Sequence, residues 1–414
     1  EEEIEFKLIK IKKNFAIGKL LEVKKESKDR ITPPCMYYYK CGGCQLQHMT
    51  YQAQLDMKKE QVVNLFHRKG PFKDTPINPT VGMEQPWRYR NKSQIPVGKN
   101  KDGQVIMGFY RQRSHDIIDM DHCLIQDEQH QEVMNHVKQW LNELNISIYD
   151  EQSKTGLIRH LVVRTGHHTN EMMVIFVTNG KKFKHSEMLV EKLKNAFPNI
   201  TSIKQNINDS HSNVIMGRHS VTLYGKEKIV DQLSEVTFNI SDQSFYQINS
   251  AQTEKLYQKA IDYAQLTGEE IVLDTYCGIG TIGLYMAPQA KHVYGVEVVP
   301  SAIKDAEENA TKNQLNNTTF ECGKAEDIIL EWKAQGIKPD VVMVDPPRKG
   351  CDETFIKTLL KLNPKRIVYI SCNPSTQQRD AQMLASHYHL VEITPVDMFP
   401  QTTHIETVAL FERM

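Results

Sequence analysis

The chain lacks any long apolar segment and any excess of charge of one sign. No run in its 414 residues approaches the roughly 18 consecutive apolar residues of a membrane helix. The 51 Lys and Arg side chains are balanced by 51 Asp and Glu, so a nucleic-acid surface must be a local basic patch. The Glu-rich and Lys-rich start has no secretion-signal pattern. Together these absences predict a cytoplasmic protein with no membrane partner.

Cysteine is scarce and unevenly placed. In a reducing compartment, clustered cysteines usually bind metal or catalyse rather than form disulfides. Three of the eight lie in the string Cys35-x5-Cys41-Gly-Gly-Cys44, and Cys123 is the only other one before residue 277. Four thiolates fit either zinc or an iron–sulfur cluster, although this spacing is not the usual zinc pairing.

The C-terminal part of the chain alternates short apolar strands with helical segments. Strands are predicted at 271–276, 293–298, 340–345 and 366–371. This alternation predicts an α/β fold with a doubly wound, mostly parallel sheet. Such sheets bind ligands beyond the carboxyl ends of their strands, where the notable residues of this chain fall.

Three domains are expected. Residues 1–30 resemble the end of a TRAM-type RNA-binding β-barrel whose beginning is not in this sequence. Residues 31–235 should form a mixed α+β domain that carries the cysteine cluster and binds RNA, and residues 236–414 a Rossmann-like catalytic domain. A helix is predicted near 51–66, and it is expected to pack on the catalytic domain. Its apolar positions are Leu55, Met57, Val62, Val63 and Leu65.

A glycine-rich turn marks a cofactor site. Gly278, Gly280 and Gly283 satisfy G-x-G-x-x-G after a predicted strand, and glycines there let a ligand approach the backbone. Glu297 ends the next strand, where an acid binds ribose hydroxyls. NAD, FAD and S-adenosylmethionine all carry that ribose, so these residues do not discriminate among them. The alternative is that the glycines only pack a helix against a strand.

The string Asp345-Pro-Pro-Arg348 discriminates better. Asp345 ends another predicted strand and can hold a cofactor or substrate group, while the prolines make a rigid loop. Hydride-transfer enzymes have no need of this loop, whereas nucleotide-base methyltransferases often carry an Asp/Asn-Pro-Pro turn. Those that modify exocyclic amines usually place an aromatic residue after it. Arg348 therefore argues against amine methylation.

Cys372 follows the next predicted strand directly, in Ser-Cys-Asn-Pro. Such a thiol can be merely a small buried apolar group, but the polar loop after it favours catalysis. A thiolate that adds to carbon 6 of uracil makes carbon 5 nucleophilic enough to accept a methyl group. The proton on carbon 5 must then go to a general base. Glu406 at the start of the last strand, two residues after His404, is the candidate; a surface carboxylate is the competing interpretation.

Five strings in this order resemble one family over nearly the whole chain. They are Ser-Phe-Tyr-Gln247-Ile-Asn, Asp-x-x-Cys-Gly-x-Gly, Asp345-Pro-Pro-Arg, Ser-Cys372-Asn-Pro and Phe-Pro…His-x-Glu406. Their order resembles that of the S-adenosylmethionine-dependent RNA (uracil-5-)methyltransferases. The resemblance implies that Cys372 is the nucleophile and Glu406 the base. It also implies that four residues contact the cofactor: Gln247, Tyr276, Glu297 and Asp345. Thr281 departs from the Asn of some members, which puts that cofactor contact in doubt.

The cysteine set resembles that of the family members that act on 23S ribosomal RNA. The resemblance implies a [4Fe–4S] cluster, with zinc as the alternative, held by Cys35, Cys41, Cys44 and Cys123. It favours 23S ribosomal RNA as the substrate over tRNA, which is the alternative. The role expected for the cluster is structural, and no obligate protein partner is evident.

Two segments, 87–92 and 109–113, interleave aromatic residues with cations. Such a surface can stack unpaired bases and neutralise phosphates, although an ordinary solvated strand has the same composition. A stacked base hides carbon 6, so the target uridine must be flipped out or lie in a loop.

Two other functions compete with methylation. An NAD-dependent oxidoreductase would use the glycine turn but would leave Asp345 and Cys372 unexplained. A non-catalytic RNA-binding protein would retain the catalytic domain only as a vestige.

Overall fold

The computed structural model describes residues 1–68 and 70–414. The chain begins with an antiparallel hairpin of β1 (Glu3–Ile11) and β2 (Ala16–Lys25), whose apolar side chains are largely exposed. An irregular segment with three of the cysteines leads to the helix α1 (Tyr51–His67). The predicted helix is confirmed within one residue of its end.

A mixed sheet of seven strands forms the middle of the molecule, in the order β5-β4-β3-β6-β7-β8-β9. All neighbours are antiparallel except β7 and β8. The strands are β3 (Lys92–Lys99), β4 (Val105–Tyr110), β5 (Ile117–Asp119), β6 (Ile158–Thr165), β7 (Met172–Thr178), β8 (Ile200–Ile207) and β9 (His219–Gly225). The helices α2 (Glu128–Glu143) and α3 (Ser186–Ala196) contribute to its apolar core. A short hairpin of β10 (Ile229–Leu233) and β11 (Val236–Ile240) leads to the C-terminal part.

A second seven-stranded sheet has the order β14-β13-β12-β15-β16-β18-β17. The first five strands in that order are parallel, and β18 runs antiparallel between β16 and β17. The strands are β12 (Ile271–Thr275), β13 (His292–Glu297), β14 (Thr318–Cys322), β15 (Val341–Val344), β16 (Arg366–Ser371), β17 (Tyr388–Val396) and β18 (Glu406–Arg413). The helices are α4 (Ser250–Ala264), α5 (Thr281–Met286), α6 (Pro300–Lys312), α7 (Ala325–Ala334), α8 (Glu353–Leu362) and α9 (Pro374–Leu384), with a 3-10 turn at Ala287–Gln289. The predicted Rossmann-like α/β fold is confirmed.

The strand order reverses at β12, which pairs with β13 on one side and β15 on the other. All four residues of β15 are buried, as expected for a parallel strand covered by helices on both faces. A reversal of strand order opens a crevice at the carboxyl ends of the strands. The fold therefore assembles its site where β12, β13, β15 and β16 end.

Helix α1 packs against the C-terminal sheet rather than the middle one. Val62 and Phe66 are fully buried in the same apolar cluster as Ile393 and Phe411 of β17 and β18. The buried positions of α1 recur every four residues, at Gln54, Lys58, Val62 and Phe66. Of the five predicted apolar positions only Val62 is among these, and the polar Gln54 and Lys58 are buried instead. Among the described residues, no helix is long and apolar enough to cross a membrane.

Candidate active site

The residues singled out from sequence meet at the carboxyl ends of adjacent strands. Tyr276 follows β12, Glu297 ends β13, Asp345 follows β15 and Cys372 follows β16. Because β12 lies between β13 and β15, and β15 pairs with β16, these four positions form a row along one edge. The predicted clustering at this edge is confirmed by the strand order.

The glycine turn after β12 exposes its backbone to the crevice. Gly278 and Gly280 have φ angles of 57° and 80°, in the left-handed region that favours glycine. A Cβ on Gly278 would meet no atom within 4 Å, so the backbone faces open space there. A Cβ on Gly280 would lie 3.2 Å from Ala306, Leu284 and Phe320, which leaves little room for a side chain. The turn thus lets a ligand approach the main chain closely.

Glu297 is fixed beside this turn by main-chain hydrogen bonds. Its carboxylate accepts from the backbone N–H groups of Val298 (2.8 Å), Val299 (3.1 Å) and Gly278 (3.3 Å). A carboxylate offers about four lone-pair sites, so it keeps acceptor capacity for hydroxyl groups. Its placement at the end of β13 matches what ribose recognition requires.

Asp274 was quoted in the glycine string but given no role. It is 1% exposed, and its Oδ2 accepts a hydrogen bond of 2.8 Å from the backbone N–H of Gly283. Its Oδ1 is buried with no protein partner among the described residues. Burial raises the pKa of Asp274 to about 8. A Cβ on Gly283 would come within 2.8 Å of Asp274 Oδ2, so the third glycine of the string makes room for this carboxyl group.

Cys372 and Glu406 lie at the same end of an antiparallel strand pair. Ser371, the last residue of β16, pairs with Thr407 of β18, so Cys372 directly follows this pair on one strand and Glu406 directly precedes it on the other. Cys372 is half-buried, whereas Glu406 is only 4% exposed. The competing interpretation of Glu406 as a surface carboxylate is therefore wrong.

The ionisation of this pair is governed by burial. Burial raises the pKa of the Cys372 thiol to about 11; the charges of Glu406 and Asp345 act in the same direction, and the cation Arg348 acts against them. Burial also raises the pKa of Glu406 well above its ordinary value, with Asp345 adding to the effect. Asp345 itself has a pKa raised to about 7 by burial. The crevice thus holds three acidic groups whose burial disfavours their ionised forms.

The loops that carry Asp345 and Cys372 are tied together. Asn373 Nδ2 donates to the carbonyl of Arg348 at 3.1 Å, and the side-chain oxygen of Asn373 accepts from Ser375 N to cap α9. Behind the crevice, the Tyr257 hydroxyl of α4 lies 3.1 Å from Thr281 Oγ1. Thr281, the position that departs from the family pattern, is therefore partnered from within the chain.

Gln247 and His404 are placed differently from the row of strand ends. Gln247 lies on the loop before α4, and its carbonyl accepts from Asn91 Nδ2 at 2.9 Å. His404 was expected two residues before the start of the last strand, on the same face as Glu406. The strand begins at Glu406, as predicted, and His404 lies exposed in the preceding loop, with its ring centre 5.9 Å from that of Phe399.

The four candidate ligand cysteines line one cavity of about 160 Å³. Cys35, Cys41 and Cys44 are buried, and Cys123 is partly exposed. Burial raises the pKa of Cys44 to about 12, and the other three cysteines are the charges that add to this. Within residues 1–68 and 70–414, however, no three His, Cys, Asp or Glu side chains are grouped as a site for a single metal ion.

The segment 87–92 is not a freely solvated strand. Tyr89 is buried, and its hydroxyl donates to the carbonyl of Pro400 at 3.0 Å. Arg88 pairs with Glu128 at 3.2 Å. Burial, with Arg164 and Arg90 nearby, lowers the pKa of Lys92 to about 7. In the other segment, Arg111 and Arg113 are exposed.

Comparison with known proteins gives consistent results. A family model described as tRNA (uracil-5-)-methyltransferase matches residues 50–414. A Staphylococcus epidermidis protein that carries the name uncharacterized RNA methyltransferase is 84% identical over 413 residues, which are 100% of this chain and 91% of that protein. A Staphylococcus aureus protein of the same description is 76% identical over 410 residues, covering 99% and 90%. The solved structure of Pyrococcus abyssi tRNA (uracil-54, C5)-methyltransferase with S-adenosyl-L-homocysteine matches with a TM-score of 0.80 and 30% identity, covering 99% of this chain and 93% of that one.

Proposed function

Since the chain belongs to the tRNA (uracil-5-)methyltransferase family, a family of S-adenosylmethionine-dependent RNA-methylating enzymes, we propose that it uses Cys372 and Glu406 to methylate carbon 5 of a uridine in RNA. The observation that carries this proposal is that Cys372 directly follows β16 while Glu406 begins β18, at the end of the ladder where Ser371 pairs with Thr407. They lie on the edge of the sheet that also holds the glycine turn and Glu297. Family membership removes the basis for the oxidoreductase alternative.

The residues of the crevice fit S-adenosylmethionine. The open space over Gly278 accepts a ligand against the main chain, and Glu297 keeps acceptor sites for ribose hydroxyls. In this proposal Gln247, Tyr276 and Asp345 complete the cofactor contacts. When bound, the cofactor supplies an electrophilic methyl group on a positively charged sulfur. A cation beside so many buried carboxyl groups also favours their ionised forms.

The reaction starts with the Cys372 thiol. It gives its proton to solvent water, and the sulfur adds to carbon 6 of the uracil, so that an S–C bond forms and the electron pair of the ring double bond moves onto carbon 5 and the neighbouring carbonyl. Arg348 is the cation that opposes the effect of burial on the pKa of this thiol. Carbon 5 then forms its bond to the methyl group as the sulfur–methyl bond breaks.

Glu406 completes the reaction. Its carboxylate takes the proton from carbon 5, the double bond re-forms, and the Cys372 thiolate leaves as 5-methyluridine is released. A raised pKa makes a carboxylate a stronger base, which suits Glu406 to this step. Because β18 begins with Glu406 beside the end of β16, the base lies at the same end of this strand pair as the nucleophile.

For the substrate, we propose 23S ribosomal RNA, with the target uridine flipped out or in a loop. The support is the cysteine set and the N-terminal hairpin, which we interpret as the end of a TRAM-type barrel at residues 1–30. The second candidate is tRNA. The Pyrococcus abyssi enzyme, whose structure aligns with 99% of this chain, acts on tRNA. In either case residues 31–235 are the proposed RNA-binding domain and residues 236–414 the catalytic one.

We also propose that the cysteine cavity holds a [4Fe–4S] cluster. The support is that the four cysteines line one cavity of about 160 Å³ and that four thiolates are the usual ligand set of such a cluster. Cys35, Cys41, Cys44 and Cys123 would hold it, with zinc as the alternative. Bound there, it would supply structural cross-linking of the two segments that carry the ligands.

Transfer of labelled methyl groups tests the function. The purified protein is incubated with methyl-labelled S-adenosylmethionine and transcripts of 23S ribosomal RNA or tRNA, and the nucleosides are analysed. We expect 5-methyluridine in ribosomal RNA and none after Cys372→Ser. Cys322→Ser, which changes an exposed thiol at the end of β14, is the matched control and should keep activity. Label in tRNA alone would replace the substrate proposal, and label at another position would contradict the reaction.

A further inference from the structure

The segment 397–401, between β17 and β18, is held by donors from outside that hairpin. Every one of its five carbonyl groups accepts such a hydrogen bond. The donors are Gln252 Nε2 to Asp397 (3.0 Å), Asn249 Nδ2 to Met398 (3.1 Å), Lys58 Nζ to Phe399 (3.3 Å), Tyr89 OH to Pro400 (3.0 Å), and the backbone N–H groups of Gln45 (2.9 Å) and Leu46 (3.0 Å) to Gln401. Four of the six belong to the segment before β3, 300 or more residues away in sequence.

Gln401 is the centre of this arrangement. It is 2% exposed, and its φ of 71° is unusual for a residue with a side chain. Its backbone N–H donates to Gln54 Oε1 at 3.1 Å, and its Oε1 accepts from Gln54 Nε2 at 3.0 Å. The same Gln54 amide donates to the carbonyls of Leu46 and Met49, both at 3.1 Å. The hydrogen-bonded pair Gln54 and Gln401 therefore joins α1, the segment before the proposed base and residues 35–49, which carry three of the cysteines and are called the cysteine loop below.

A buried ion pair holds the other end of the segment. Lys58 Nζ lies 2.5 Å from Asp397 Oδ1, with both side chains fully buried, and the Tyr51 hydroxyl donates to Asp397 Oδ2 at 2.9 Å. A buried pair of this kind fixes a register, because neither charge tolerates losing its partner. The segment is thus pinned at residues 397 and 401, while residues 402–405 run on to Glu406 outside the β-ladder.

We propose that Gln401 is a positioning residue for Glu406, and that it transmits the conformation of the cysteine loop to the proposed base. The inference rests on the proposed function. Gln45 and Leu46, which bind the Gln401 carbonyl, follow Cys44 directly, so a change at the cysteine cavity reaches Gln401 through one or two residues. Gln401 touches no reacting atom and acts only by fixing the chain that leads to Glu406.

The chemistry gives this role a distinctive signature. Addition of Cys372 and methyl transfer do not use Glu406, whereas removal of the proton from carbon 5 does. A displaced base therefore leaves RNA methylated but still joined to Cys372, because the thiolate cannot leave until that proton is lost. A merely destabilised enzyme would instead lose all steps together.

Two variants test the proposal from opposite sides of the amide pair. Gln401→Gly removes the side chain and tolerates the positive φ. Gln54→Ala leaves Gln401 intact but removes its partner. Gln205→Ala is the matched control, because Gln205 of β8 is also buried and its Nε2 donates to the carbonyls of Gly180 (3.3 Å) and Lys181 (3.1 Å) in the loop after β7.

The measurement is the fraction of 23S ribosomal RNA transcript trapped as a methylated covalent adduct on denaturing gels, together with the rate of 5-methyluridine release. For Gln401→Gly and Gln54→Ala we expect release to fall by about 10-fold to 100-fold, the usual cost of a small misplacement of a catalytic group, while the adduct accumulates. With the same transcript made with 5-fluorouridine the reaction stops at the covalent adduct. Both variants should form that adduct at the rate of the wild-type protein.

The outcomes separate the two proposals. If both variants release product as fast as Gln205→Ala, or lose 5-fluorouridine trapping in parallel with release, the positioning role is wrong. If the wild-type protein forms no adduct with either transcript, the proposed function itself fails. Accumulation of the methylated adduct in both variants but not in the control supports the role.

Discussion

Replacing Lys58 by Met should destabilise the protein far more than replacing an exposed lysine. The Lys58 and Asp397 side chains are both fully buried, 2.5 Å apart, and burial lowers the pKa of Lys58 while Asp397 acts against that. Lys58→Met leaves the Asp397 carboxylate buried with only the Tyr51 hydroxyl and no counter-ion. Removing one partner of such a pair costs about 3–5 kcal/mol of unfolding free energy.

The assay is chemical unfolding with the matched variant Lys357→Met beside it. Lys357 also pairs with a carboxylate, Glu353, at 2.7 Å, but the two side chains are 64% and 66% exposed. An exposed pair contributes about 0.5 kcal/mol or less, so that variant should be nearly neutral. The double variant Lys58→Met with Asp397→Asn should recover part of the loss, since no unpaired charge remains. Equal unfolding free energies for Lys58→Met and Lys357→Met would refute the reasoning.

Three further predictions follow from the crevice and the cysteine cavity. Glu297→Ala should weaken S-adenosylmethionine binding by about 10-fold or more in calorimetry, because hydrogen bonds to a charged group are lost. NAD should bind neither the wild-type protein nor the variant. Unchanged affinity for S-adenosylmethionine would contradict the ribose role of Glu297. The rate of product release should fall as the pH is lowered through the raised pKa of Glu406, because the base becomes protonated. This fall at acidic pH should be absent in Glu406→Gln. An identical pH profile in the variant would show that Glu406 is not the base. Cys44→Ser should abolish the visible absorbance of a cluster and bound iron; a full iron content would show that Cys44 is not a ligand.

Much of the fold follows from local patterns in the sequence. The four apolar strands at 271–276, 293–298, 340–345 and 366–371 alternate with helices, and that alternation predicts a mostly parallel α/β sheet. The strand order then places Tyr276, Glu297, Asp345 and Cys372 in a row, as expected for residues at carboxyl ends. This part of the site depends on short-range signals and a general rule of topology.

The remaining features depend on contacts between distant parts of the chain. Glu406 is buried because the last strand inserts antiparallel between β16 and β17, which no local periodicity reveals. The face that α1 buries includes Gln54 and Lys58, whose partners Gln401 and Asp397 lie more than 300 residues away. A polar side chain is buried where hydrogen-bond partners are available, and these partners are not in the neighbouring sequence. The start of the last strand at Glu406, by contrast, was predicted correctly from its apolar residues.

The central claim is that Cys372 attacks the uracil ring, and one measurement tests it most directly. The protein is incubated with S-adenosylmethionine and 5-fluorouridine-containing 23S ribosomal RNA, and the trapped complex is digested and sequenced by mass spectrometry. Fluorine on carbon 5 cannot leave as a proton does, so the reaction should stop with the nucleotide attached. We predict a methylated 5-fluorouridine on the peptide that contains Cys372, and none with Cys372→Ala. Attachment to any other residue, or an adduct that persists in Cys372→Ala, would contradict the account.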